Sequence, residues 1–177
     1  MTRAAYALIL AAALLLPRAA AAVPPGTPAS IAALAHCDAI DDMVDGEREA
    51  ALDRGLALAE AAVAADGGDA RAHFALFCHL GKRMERAGIS LRQITDLRRL
   101  KRELDLTLTL APGDPDALIA KGALLLKLPR LLGGDSDEAE TLLRQALLVE
   151  PDNDTARCYL EAARAAQGDG TSSRDGC

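Results

Sequence analysis

The chain has no tryptophan, and only two phenylalanines and two tyrosines among its 177 residues. A core without large rings must be filled by Leu and Ala, which suits closely packed helices better than a sheet sandwich. Also missing are a Gly-x-Ser-x-Gly elbow, a Cys-x-x-Cys pair and a catalytic-cysteine signature. The carboxylates are scattered as helix caps and solvated faces, and the small cluster Asp41, Asp42 and Asp45 lacks the spacing of a metal loop. No catalytic residue is therefore assigned, no enzyme activity is expected and no cofactor is implied. Basic charge is in deficit, with 20 Lys and Arg against 26 Asp and Glu. Such a balance disfavours nucleic acid as a partner.

What is present begins with residues 1–22, which read as a cleaved secretory signal peptide. Arg3 supplies the basic start, an apolar run covers 4–16, and small residues end at Ala22. That run is shorter than the ~20 residues a spanning helix needs, so no stable membrane anchor is expected. No cysteine follows the run directly and no twin-arginine pair precedes it, which points to export of an unfolded chain to the periplasm. Cleavage would remove Arg3 and Arg18, leaving 18 basic against 26 acidic residues and a formal charge of −8. Residues 23–28 form a proline-rich lead, 29–167 the folded domain, and 168–177 a flexible tail without apolar periodicity.

The stretch 114–150 is the most informative. Asp114 followed by Pro115 is a cap and a first-turn proline. Leu118, Gly122 and Leu125 then recur at helical spacing, with the glycine permitting close approach of another helix. Leu128-Pro129 ends that helix, Gly133-Gly134 turns the chain, and Asp135 with Glu138 has the spacing of a capping box. A second helix carries Ala139, Leu143, Ala146 and Leu147 on one face, with Pro151 beyond its end. Neither helix can bury its apolar face alone.

The small residues at the crossing and the closing proline, at Gly122, Ala139, Leu143, Ala146 and Pro151, resemble the tetratricopeptide repeat. One unit upstream the template places Ala70, Leu76 and Leu80 on a first helix and Leu100, Leu104 and Pro112 on a second. That unit departs from the family, with Phe77 and Leu100 at small-residue positions and about eleven extra residues between its helices. The resemblance implies an all-α fold of about seven helices, a TPR-like hairpin stack or α-solenoid.

In order, Thr27-Pro28 opens a helix through Ile31, Leu34, Ile40 and Met43, with Gly46 after it. A second helix covers 47–66, where Leu52, Leu56, Ala59, Ala62 and Val63 keep three-and-four spacing. Asp69 caps a third, running to Ala87 before Gly88. Ser90 with Gln93 opens a fourth over 91–110. Its end, 104–110, alternates like a strand, but Ile94, Leu97, Leu100, Leu104 and Leu108 hold helical spacing throughout. The hairpin above gives the fifth and sixth, and a seventh over 154–166 would cover the last exposed face.

Four cysteines in an oxidising compartment suggest disulfides but permit three pairings. Cys37 and Cys78 occupy equivalent places on successive first helices and are a candidate bridge; Cys177 suits a link between chains and leaves a homo-oligomer open. The sets His36-Cys37 and Cys78-His79 invite a Cys2His2 metal reading. Neighbours on a helix point about 100° apart, however, so no metal is assigned; the plainer expectation has the cysteines packed or bridged and His73 and His79 at the surface. Basic residues concentrate in Lys82, Arg83, Arg86, Arg92, Arg98, Arg99, Lys101 and Arg102. They form either a docking surface for an anionic partner or a solvated face.

In tetratricopeptide arrays the first helices line a concave groove, which here implies Arg71, Phe74, Cys78 and Lys82 from one unit and Asp116, Ile119, Ala123 and Lys127 from the next. These are mostly apolar with charged flanks, unlike the Asn- and Lys-rich clamp of members that grip acidic termini. The resemblance thus implies a non-catalytic scaffold holding a protein or peptide partner. The turn KLPRLLGGD also resembles the periplasmic accessory subunit of TRAP-type solute transporters, and relatives of microtubule-dynamics regulators. That likeness implies an alternative: a subunit meeting a solute-binding protein or a small apolar ligand. The lipid-anchoring cysteine expected of such a subunit is absent.

Overall fold

Seven α-helices are formed among the residues described by the computed structural model, 25–87 and 91–168, and no strand is present there. They are α1 (Pro28–Ala39), α2 (Asp45–Ala65), α3 (Ala70–Ala87), α4 (Leu91–Leu110), α5 (Pro115–Lys127), α6 (Ser136–Val149) and α7 (Asp154–Gly168). The expected signal peptide, the Gly88 stop, the side chains of the Ser90 and Gln93 pair, and Cys177 lie outside the described residues.

Local chemistry starts most of these helices where the sequence places the caps. The Thr27 hydroxyl accepts from Ser30 N, Asp114 accepts from Ala117 N, and Asp135 accepts from Asp137 N and Glu138 N. Asp69 works on two elements at once. Its Oδ1 accepts from Arg71 N at 2.9 Å, opening α3, and its Oδ2 accepts from Thr27 N at 2.8 Å, fixing the entry of α1. Burial alone would raise this carboxyl, but hydrogen bonds with Ser30, Thr27 and Arg71 outweigh it and hold the group below its ordinary range.

The first helix stops at Ala39 and tightens into a 3-10 turn over Ile40–Asp42 instead of continuing to Met43. Arg48 donates to the carbonyls of Asp41 and Met43, which gives the released backbone its partners. The buried face of α1 is Ser30, Ala33 and Cys37, whereas Ile31 is 47% exposed. Small residues face inward because α1 lies close along α3. The alternating stretch at the end of α4 is helical: Leu104 and Thr107 are buried one turn apart while Leu106 and Leu110 reach solvent. Thr107 and Thr109 donate back to Glu103 O and Asp105 O, so neither hydroxyl competes for a ladder.

Helices α1, α3 and α5 run in the same direction. Thr27 meets Asp69 and Cys37 meets Cys78, separations of 42 and 41 residues, and Asp41 pairs with Lys82 beyond them. Helices α3 and α4 are antiparallel, with Ala70 opposite Thr107, His73 opposite Glu103 and Arg83 opposite Asp96. Helices α6 and α7 are antiparallel too, through Glu140 with Arg164 and Ser136 with Gln167.

Two large apolar clusters result, beside a small third one of Ile40, Ala51 and Leu52. One joins α1 to α4 through Ala33, Ala59, Ala75, Leu76, Leu80 and Leu100. The other joins α5 to α7 through Leu118, Leu125, Ala139, Leu143, Ala146, Ala156 and Leu160. A Cβ on Gly122 would stand 2.8 Å from Leu143 Cγ, so the α5–α6 crossing requires glycine. The clusters meet through Leu124 and Leu108, each packed against the cluster opposite its own neighbours. Outside that seam, Lys121 ties Asp105 of α4 at 2.9 Å to Glu138 of α6 at 3.5 Å.

Candidate functional site

The face expected to receive a partner is built from α3 and α5. Asp116 at the start of α5 feels the charge of Arg71 at the start of α3. At the far ends, Lys127 lies 4.0 Å from Glu85. The two helices therefore run side by side, yet they pack far less closely than α1 does on α3. Between their charged ends the half-buried Phe74 stacks on Phe77, with ring centroids 5.7 Å apart.

The eight residues assigned to this face have different fates. Phe74 and Ala123 are half-buried and reachable, and Asp116 and Lys127 are exposed. Arg71 is half-buried, with its Nε enclosed and unbonded. Ile119 is only 8% exposed and belongs to the α5–α7 core, so it offers a guest almost no surface. Cys78 is bridged to Cys37, and Lys82 turns to Asp41.

Charge at the accessible end is predominantly negative. Although Asp116 reaches solvent, the atoms crowded around it raise its carboxyl above the ordinary range; Asp114 and Glu150 push it further, Arg71 opposes them, and Asp38 adds to the rise. A carboxylate among carboxylates is stabilised by an arriving cation.

Among the described residues the basic stretch does not form one surface; the side chain of Arg92 lies outside them. Arg83 pairs with Asp96, Arg86 with Asp45, Arg99 with Glu60 and Arg102 with Glu103. Lys101 donates to Leu132 O at 3.3 Å. What remains is one side of α4, an open cavity of about 380 Å³ lined by Arg98, Lys101, Arg102, Asp105, Leu106 and Thr109.

His36, Cys37, Cys78 and His79 come together around the bridge that the sequence offered as a candidate. Cys37 and Cys78 form a disulfide with Cα atoms 6.3 Å apart, and Cys158 is not a free thiol either. His73 and His79 are not at the surface: they are 5% and 0% exposed. His73 is buried because both ring nitrogens find acceptors, Glu103 Oε2 at 2.7 Å and Gly67 O at 3.1 Å. His79 is buried because its Nε2 donates to Ala33 O at 3.0 Å. Its remaining nitrogen, Nδ1, and that of His36 are enclosed without partners, and the two rings lie 5.6 Å apart beside the disulfide. Burial pushes the His79 ring down; the Ala33 bond opposes this, and the nearby charges of His36 and Lys82 reinforce it. Gly55 of α2, which the sequence reading passed over, lies against both rings, and only the positions of α1 and α3 reveal why glycine stands there.

No group of three or more His, Cys, Asp or Glu side chains suited to a metal ion occurs among the described residues. None of their helices is long and apolar enough to cross a membrane. No family model matches the sequence, and no curated protein matches it.

Proposed function

We propose that the chain is an exported, non-catalytic scaffold of the tetratricopeptide kind, which holds an extended peptide or a partner helix against the α3–α5 face. The observations that carry this reading are the half-buried Phe74, stacked on Phe77 one turn along α3 from Arg71, and the acidic end formed by Asp116, Asp114 and Glu150, which feels the Arg71 charge. An apolar residue of the guest would rest on Phe74, and a Lys or Arg would relieve the crowded carboxylates. The common direction of α1, α3 and α5 supports the repeat reading, since the family's first helices share one side. Export is supported by the basic, apolar and small-residue order of residues 1–22 and by the Cys37–Cys78 disulfide, a bond that persists in oxidising compartments. A small apolar solute would fit the α4 cavity poorly, because three cations border it.

Selection from a displayed random-peptide library tests the reading. Enriched peptides should pair an apolar residue with a Lys or Arg. Their binding should fall at least tenfold in Phe74→Asp and in Asp116→Lys while helicity is unchanged. Equal binding to both variants would reject the face.

A further inference from the structure

Two imidazole nitrogens that nothing else uses lie against Gly55. His36 comes from α1, His79 from α3, and α2 crosses both at a glycine. A Cβ on Gly55 would lie 2.1 Å from His79 Cε1, 2.6 Å from His79 Nδ1 and 2.7 Å from His36 Nδ1, so both nitrogens pack against the same glycine. Each is enclosed and without a hydrogen-bond partner. Leaving two such atoms unmet is costly, and buried polar atoms in folded proteins are ordinarily paired.

The protonation of one ring is fixed by its other contact. His79 Nε2 must donate to Ala33 O, so in the neutral ring Nδ1 carries the lone pair. A backbone carbonyl holding the far N–H is the arrangement that orients metal-ligating histidines and makes them better donors. His36 is half-buried, and its own Nδ1 already lies against the same glycine.

We propose that His36 and His79 form a two-imidazole site for a monovalent d10 metal ion, of the Cu(I) or Ag(I) class. The donor count selects the class. Zinc in a structural site asks for about four protein ligands, and the described residues offer no third His, Cys, Asp or Glu here. Both neighbouring sulfurs are consumed in the disulfide. A d10 monocation accepts two opposed ligands, and its single charge costs less to bury than a double one. Lys82 nearby opposes a cation but is itself paired with Asp41, while Asp38 favours one.

Silver tests this without changing the redox state of the cysteines. The full chain, disulfide intact, is titrated with Ag(I) in chloride-free buffer and bound metal is counted by native mass spectrometry. The expected result is one ion per chain, lost in His36→Gln, with thiol assay showing the disulfide unbroken. Failure of the wild-type chain to take up silver overturns the site. Equal uptake by His36→Gln does so as well, since it places the ion elsewhere, for instance on Met43 or Met84. Nitrogen-15 spectra of the wild-type chain give a readout that does not depend on the variant folding. Silver should shift Nδ1 of His36 and His79 and leave His73, whose nitrogens are both engaged, in place. Unmoved Nδ1 signals of His36 and His79 reject the assignment.

Discussion

The α1–α4 and α5–α7 halves of this molecule solve the same packing problem with different materials. Every buried polar or charged side chain of the described residues, from Ser30 and Asp69 through His73 and His79 to Glu103 and Thr107, lies in the first half, as does the Cys37–Cys78 bond. The second half is Leu against Ala and Gly, with Leu143 seated on Gly122. Polar pairs fix which residues meet, because a slipped register strands a donor or a charge. Leu on Ala gains from burial alone and depends on volume. The first half should therefore fail when a partner is deleted, and the second when a volume is changed.

The sharpest way to break the contrast is Glu103→Ala. It leaves His73 buried beside an empty space, and loss of one partner from a buried pair costs about 3–5 kcal/mol. Hydrogen exchange should quicken in α3 and α4 before α6 and α7; uniform quickening would erase the distinction. Next comes Cys37→Ser with Cys78→Ser. The bridge closes a loop of 41 residues, and loop-closure entropy gives about 4 kcal/mol, read as a lower denaturant midpoint. In the second half, Leu143→Ala should cost about 3 kcal/mol as a cavity forms over Gly122. Its exchange pattern should be the reverse, with α5 and α6 loosening first.

Acid should separate the halves again. Because burial holds the His79 ring below its ordinary value of 6.5, the unfolded chain binds protons more readily there. Stability is full above that value and is lost as pH falls through it towards the folded value. His79 lies on α3 and bonds to α1, so exchange in these helices should accelerate from about pH 6.5 downward, ahead of α7. His79→Gln, if folded, should flatten the trend. The smallest effect belongs to the seam: Lys121→Met should cost less than about 1 kcal/mol, since solvent screens a lysine that is a quarter exposed. Burial lowers the Lys121 ammonium, but Asp105 and Glu138 more than offset this and raise it. Its contribution is present below the ordinary lysine range and fades as pH rises above it. No alkaline loss beyond that of Lys121→Met would show that the seam ignores this contact.

The second half was the more legible in the sequence. Asp114, Pro115, Gly122 and Asp135 act within one or two turns of themselves or on the next helix, so local spacing announces them. The helical end of α4 was legible because Leu100, Leu104 and Leu108 share one face although the intervening residues alternate. His79 was not, since the carbonyl that admits it to the core is 46 residues away. His73 depends likewise on Glu103, 30 residues away. Ile119 looked like groove lining because a repeat template fixes the helix face only approximately, and one apolar residue more or less turned inward is decided by packing. Which residues of the candidate face reach solvent, and the histidine pair, were legible only after the helices were assembled.

The covalent ring between positions 37 and 78 asks nothing of the chain beyond it. Under the export proposed above, a polypeptide emerging N-terminus first would have what it needs to latch α1 to α3 while α4 to α7 are still to come. The latched trio would then offer later helices a finished wall to settle on, so growth of the molecule has a built-in direction.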